Sequence, residues 1–202
     1  MAITQAHLSI SLDGFVAGPD QRLEQPLGVG GEDLHRWMFA DDATAVDRRW
    51  RDRVLVPGGA YVMGRNMYGP VRGPWESYGE EWRGWWGEDP PYHADVFVLT
   101  HHGHEPITME GGTTFHFVTD GFAAALARAR ASGNGDVSIA GGASVVRQAL
   151  AAGELDELTL DIAPILLDAG ERIFDGTVVA RLEPVEAEHS PYATHVRYRV
   201  SR

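Results

Sequence analysis

Apolar and polar positions alternate along much of this chain in short strand-like stretches, several of which run straight into helix-like ones. Ala6 to Leu12 has the layout of a first strand and ends in a turn at Asp13-Gly14. A Gly-rich loop from Pro26 to Gly31 precedes Glu32 to Phe39, where Leu34, Trp37 and Met38 fall on one side of a helix. A second helix is predicted over Ala43 to Asp52. Ala60 to Met63 reads as a strand ending at Gly64, and His93 to Leu99 as another. Phe115 to Val118 is a further strand that leads directly into a helix from Gly121 to Ala131. Leu158, Leu160 and Ile162 mark a strand over Glu157 to Ile162. The tail from Arg181 to Val200 reads as two antiparallel strands broken near Ser190-Pro191. Strands alternating with helices predict an α/β sheet. With neither an internal repeat nor a linker, residues 1–202 are expected to form one domain.

The most informative stretch is Val137 to Leu150, VSIAGGASVVRQAL. Val137 and Ile139 alternate with Ser138 and Ala140, and Gly141-Gly142 then lets backbone approach whatever lies at the strand's end. Val145, Val146, Ala149 and Leu150 recur at the spacing of one buried helical face, and Gly153 is the predicted stop. A helix that starts without a side-chain cap offers amides and the positive end of its dipole, and both favour a phosphate. Gly-Gly turns also serve packing alone, so this stretch by itself leaves either role open.

Composition narrows the chemistry. The chain has 202 residues, 44% of them hydrophobic, enough for a sizeable core. It has no cysteine, which excludes disulfides, thiol nucleophiles and cysteine-ligated metals. It also has no lysine, which excludes Schiff-base chemistry and the lysine of a phosphate loop. A net charge of -12 argues against nucleic acid or an anionic membrane surface as partner. No apolar run reaches the length of a membrane span, and the N-terminus lacks a signal-peptide layout. A soluble cytoplasmic protein acting on a small molecule is the expectation.

Two further strand ends carry candidate ligands for an anion. Tyr61 to Tyr68, YVMGRNMY, sets Gly64, Arg65 and Asn66 at one, and arginine matches a phosphate fork better than any other side chain. Asp95 to Leu99 ends in Thr100, His101 and His102. In an open parallel sheet ligands lie beyond the carboxyl ends of the strands, so three such ends can converge on one polyanion. For Arg65 the alternative is a surface salt bridge, and for His101, His102 and His104 it is metal ligation or simple solvation. The fingerprint G-x-G-x-x-G is absent, against an ordinary Rossmann domain. Gly69 to Pro91 holds Trp75, Trp82, Trp85 and Trp86, four of the six tryptophans, among five glycines and four prolines. Such a loop suits a pocket wall or a subunit interface.

In order along the chain, SLDGFVAG (Ser11 to Gly18), VMGRNMY (Val62 to Tyr68), VFVLT (Val96 to Thr100), IAGGASVVRQAL (Ile139 to Leu150) and DELTLDIAPILL (Asp156 to Leu167) resemble the dihydrofolate reductase superfamily. The branch most resembled contains the reductase domain of riboflavin biosynthesis. The resemblance implies a three-layer α/β fold, with a mostly parallel central sheet and antiparallel C-terminal strands, and NADPH as hydride donor. Carried over by position, it sets Arg65, Thr100 and His101 near the adenosine 2'-phosphate, with Gly64 and Asn66 beside them. Gly141, Gly142, Ala143, Ser144 and Val145 lie under the pyrophosphate, and Val16 and Ala17 along the nicotinamide. Hydride transfer requires a nearby proton donor. Asp33, on the first helix, falls where dihydrofolate reductases carry their acid, and His35 competes for the role. Asp13, Trp37, Tyr68 and Trp75 are set against the substrate, although Asp13 before Gly14 also suits a backbone-capping turn. The Gly-Val-Gly-Gly lead-in to the first helix departs from true dihydrofolate reductases, which puts folate in doubt. The expected substrate is small, planar and unsaturated, and relatives in this branch commonly form homodimers. A flavin-using reductase and a non-catalytic nucleotide-binding protein are the alternatives.

Overall fold

The computed structural model describes residues 2–54, 59–70, 72–78, 84–133, 135–176 and 179–201. Trp82 of the tryptophan-rich segment lies outside them. The strands are β1 (Thr4–Ser11), β2 (Phe15–Ala17), β3 (Ala60–Gly64), β4 (Asp95–Leu99), β5 (Ile107–Thr108), β6 (Thr114–Val118), β7 (Val137–Gly141), β8 (Glu157–Ala163), β9 (Glu171–Arg172), β10 (Arg181–His189) and β11 (Thr194–Ser201). The helices are α1 (Arg36–Phe39), α2 (Ala45–Val54), α3 (Arg65–Tyr68), α4 (Phe122–Ser132) and α5 (Ala143–Ala152).

Every strand predicted from the alternation is present, with its predicted ends matched to within one or two residues. β2, β5 and β9 were beyond reach because two or three residues carry no periodicity, and their partners lie far away in the chain. The helix predicted over Glu32 to Phe39 is a 3-10 turn, Gly31–His35, followed by one turn of α1. Gly30 enters it with φ of 73° and no side chain caps it, so its first turn tightens into i→i+3 bonds. By contrast α2 starts on a reciprocal cap: Asp47 Oδ2 accepts from Thr44 N at 2.8 Å, and Thr44 Oγ1 accepts from Asp47 N at 3.3 Å. α5 stops where predicted, at a left-handed Gly153 whose amide reaches the Ala149 and Leu150 carbonyls.

The main sheet runs β10-β11-β8-β1-β7-β3-β4-β6-β5. From β8 through β6 all neighbours are parallel, and β5, β11 and β10 are antiparallel additions at the two sides. α4 and α5 cover one face, packing Leu126, Val145, Val146 and Ala149 against Leu8, Val62, Ile139 and Leu158. Each such buried aliphatic side chain contributes about 1.5–3 kcal/mol. The other face carries two separate clusters. One is built on Tyr61, Met63, Tyr68, Val96 and Phe115, and the other on Trp37 and Trp50 from α1 and α2. Parallel order brings the carboxyl ends of β1, β7, β3 and β4 to a single edge, and the loops that follow them form the candidate site.

Candidate functional site

The centre of that edge is the junction of β7 and α5. Gly141 has φ of 128°, a conformation reserved for glycine, and the Gly141-Gly142 peptide is cis. Gly64, at the end of β3, comes so close that a Cβ on it would lie 3.2 Å from Val145 Cγ2 and 3.5 Å from Gly142 N. A Cβ on Gly142 would meet nothing within 4 Å, so the space above the turn is open. α5 begins there with no side-chain cap, with Ser144 exposed and Ala143 and Val145 buried beneath. Two predicted glycine positions are thus in contact under an open cradle at a helix N-terminus.

Beside it, at the ends of β3 and β4, the Arg65 guanidinium lies 3.7 Å over the Trp75 ring. Trp75 Nε1 donates to the His102 carbonyl at 2.9 Å, and His104 packs edge-on to the same indole. Thr100 Oγ1 accepts from His102 N at 3.0 Å, which fixes this loop, and His101 stands exposed on it. Arg65, Thr100 and the histidine loop are therefore brought together, as the sequence predicted. Among the described residues no group of His, Asp or Glu could hold a metal ion. Trp75 and Tyr68 are the two aromatic residues of this region expected against a substrate. Both fold back onto the β4–β6 face, Tyr68 with 1% exposure between Phe115 and Phe117 and Trp75 edge-on to Phe117 at 4.8 Å. Trp75 thus belongs with Arg65, and Tyr68 is core. Trp85 donates to the Met67 carbonyl at 2.6 Å and, with Trp86, Tyr92 and Phe115, walls a shallow apolar recess on that face.

On the far side of β7, β2 continues from the end of β1 and pairs with β9, which places Val16 and Ala17 in a small flap. Asp13 pins this flap. Its carboxylate accepts from Ser11 Oγ at 2.5 Å, Asp168 N at 2.8 Å and Leu167 N at 3.2 Å. Those bonds, the Ser11 hydroxyl foremost, lower its pKa to about 2. Asp13 accordingly caps backbone, the alternative role its place before Gly14 suggested. Trp37 is buried at 1% exposure and donates from Nε1 to Ser9 Oγ at 2.9 Å. Asp33 is exposed on the 3-10 turn. His35, two residues on, is largely enclosed, and its Nδ1 lacks a hydrogen-bond partner among the described residues. Burial pushes its pKa below 6.5, against the opposing pull of the Asp161 charge and the Gly31 carbonyl, so its ring is neutral at pH 7.

The sequence reading missed the strongest titratable cluster. His7 Nε2 lies 2.8 Å from Asp161 Oδ2, His195 Nδ1 lies 2.6 Å from Asp161 Oδ1, and His195 Nε2 lies 3.3 Å from Asp47 Oδ1. Asp47, Asp161 and His195 are fully buried. His195 thus stands between the two carboxylates, with one ring nitrogen facing each. Trp50 stacks on His195 at 5.2 Å and Trp37 meets it edge-on at 5.0 Å, closing a box over the row. The register Ser9↔Asp161↔His195 builds that row across three strands, beneath Trp37 and next to His35. Burial alone would raise both carboxyls. At Asp161 the His7 charge and two imidazole bonds outweigh it, and at Asp47 bonds from Ser190, Thr44 and His195 do, so both lie below the ordinary carboxylate range.

The pH dependence follows from these directions. Below about 6.5 the unfolded chain protonates His35 more readily than the folded one. Below about 3.9 it likewise takes up protons that Asp161 and Asp47 resist, and their contribution is lost as pH falls through their depressed folded values. Stability is expected to decline in two stages on acidification, measured by urea midpoints between pH 7 and 3. His35→Gln should remove the first stage and leave the second.

The parallel sheet, the glycine cradle at its carboxyl edge and the flap beyond β1 define a dihydrofolate-reductase-like α/β protein. Within that class, the model of the RibD C-terminal domain matches residues 3–196, and the chain belongs to this family. No curated protein matches its sequence. Among solved structures it is similar to a candidate riboflavin biosynthesis protein from Shewanella sp. PV-4, with 21% identity, TM-score 0.69 and full coverage of both chains. A pyrimidine reductase-like protein from Corynebacterium diphtheriae shares 19% identity and TM-score 0.56, over 100% of this chain and 92% of that one. A Thermotoga maritima diaminohydroxyphosphoribosylaminopyrimidine deaminase/5-amino-6-(5-phosphoribosylamino)uracil reductase shares 14% identity and TM-score 0.56. There the match takes in 98% of this chain and 56% of the other. No helix among the described residues is long and apolar enough to cross a membrane.

Proposed function

We propose that this protein is an NADPH-dependent reductase of small, planar, unsaturated molecules, with a pyrimidine-type ring as the leading substrate class. The observation that carries the reading is the contact of Gly64 with Gly141-Gly142 beneath open space at the uncapped start of α5. In this reading Gly64, Asn66 and Gly141 to Val145 receive the pyrophosphate on backbone amides, where the helix dipole favours an anion. Arg65, Thr100 and His101 receive the 2'-phosphate, and Val16 and Ala17 of the flap border the nicotinamide. NADPH, when bound, supplies the hydride. The chain itself supplies the proton and the dry floor. Asp33, open to solvent, and His35, neutral and beside the buried Asp161, are the candidate donors, and Trp37 holds the floor through its bond to Ser9. The absence of cysteine suits a reducing cytoplasm. A homodimer would use the sheet side left by β10, although Pro184 and the bulge after it blunt direct strand pairing there.

The test is oxidation of NADPH, read as loss of the reduced nicotinamide absorbance, across pyrimidines, imines, enones and quinones. Turnover with at least one class is expected, and tight binding without oxidation of any would overturn the reading. Asp33→Asn should slow turnover and leave NADPH affinity unchanged. A rate–pH profile identical to the wild type would transfer the role to His35.

A further inference from the structure

Arg72 is the arginine that bridges the two sides of the groove. Its Nη2 lies 2.5 Å from Glu171 Oε1, and with the Asn66 amide oriented to satisfy its neighbours, Arg72 also donates to the Asn66 oxygen at 3.2–3.3 Å. Asn66 stands on α3, which follows β3. Glu171 stands on β9, paired to Ala17 of the flap that follows β1. In the sheet the order is β1-β7-β3, so the strand between those two banks is β7, the one that ends in Gly141-Gly142. The Arg72–Glu171 pair therefore crosses the groove at the open turn. Other arginines near this edge are held on one bank. Arg147 of α5 bonds the Arg172 carbonyl and Asp175, Arg172 bonds the Asp13 carbonyl, and Arg36 lies over Tyr192.

An ion pair this open, with side chains 68% and 35% exposed, is weak. A phosphate offers the same guanidinium two charge-assisted bonds and a greater negative charge. We infer that Arg72 is an exchangeable cation: it straps the groove through Glu171 when no ligand is bound and transfers to a phosphate group of the bound ligand. This rests on the reductase reading of the site. The phosphate is that of the cofactor or of the substrate, and Glu171 competes with it in both cases, which lowers apparent affinity by the fraction of molecules with Arg72 engaged.

The two ends of the strap should then respond in opposite senses. Dissociation constants of the full chain for NADPH, and of the NADPH-loaded chain for inorganic phosphate, are to be compared for wild type, Arg72→Ala and Glu171→Gln. If Arg72 serves the cofactor, Arg72→Ala weakens NADPH binding about tenfold and Glu171→Gln tightens it roughly two- to fivefold. If it serves the substrate, NADPH affinity is unchanged in both variants and phosphate binding shows those opposite shifts. Shifts of one sign in both variants, or none with either probe, overturn the exchange. Failure of the wild type to bind NADPH overturns the reductase reading instead, and phosphate titration of the chain without NADPH then decides Arg72 by the same opposite-sign criterion.

Discussion

Replacing His195 by alanine is expected to destabilise the fold by about 3 kcal/mol, the lower end of the range seen when one partner of a buried charged group is removed. Two buried carboxylates each lose a contact, since the imidazole stands between Asp161 and Asp47, while His7 stays on Asp161 and Thr44 on Asp47. The loss should appear as a lower urea midpoint at pH 7 with little change in the slope. Part of it reflects packing, because the ring lies between the Trp37 and Trp50 indoles. His195→Phe separates the terms. It preserves ring stacking and removes both ring nitrogens, so a midpoint close to that of His195→Ala assigns the loss to the polar contacts with Asp161 and Asp47. A midpoint close to wild type assigns it to packing. Because the row supports Trp37 and lies next to His35, a folded variant should also shift the pH dependence of turnover, which loss of bulk alone would not do.

This row shows where sequence reading stops. β1, β8 and β11 each alternate, and one face of each is polar: His7, Ser9 and Ser11 on β1, Asp161 on β8, His195 on β11. Alternation alone assigns such a face to solvent, as it would on the open side of an antiparallel sheet. In the fold α1 and α2 cover it with two tryptophans, so polar positions 154 residues apart meet as a buried network. Trp37 and Trp50 on adjacent predicted helices were the available sign that a second face needed covering. The segment from Val137 to Gly153 was fully legible, because the strand, the glycine turn, the buried helical face and the left-handed stop are all local. The convergence of Gly64, Arg65, Thr100 and Gly141 followed from the rule that parallel strands share one carboxyl edge. The seat of Trp75 was not legible for a related reason. Its position depends on where a long loop returns, and that is set by the Arg65 guanidinium and the His102 carbonyl it packs against.

Arg65 carries the most direct test of cofactor choice. If its guanidinium holds the 2'-phosphate, Arg65→Ala loses a charge-assisted contact of about 1.5–3 kcal/mol for NADPH, a fall in affinity of roughly 10- to 150-fold. NADH lacks that phosphate, so its affinity should change less than about twofold. The comparison matters because Arg65 is also packed: its guanidinium lies flat on Trp75, whose indole is bonded to the His102 carbonyl, and its removal could disturb the whole loop at the end of β4. A disturbed loop would weaken both cofactors alike, through the shared adenosine end. Arg65→Lys divides the two effects from the other side. Lysine keeps the charge and loses the planar stacking and the two-pronged contact, so NADPH affinity should fall to a value between wild type and alanine. Equal losses for NADPH and NADH in both variants would show that Arg65 acts through Trp75 rather than on the phosphate.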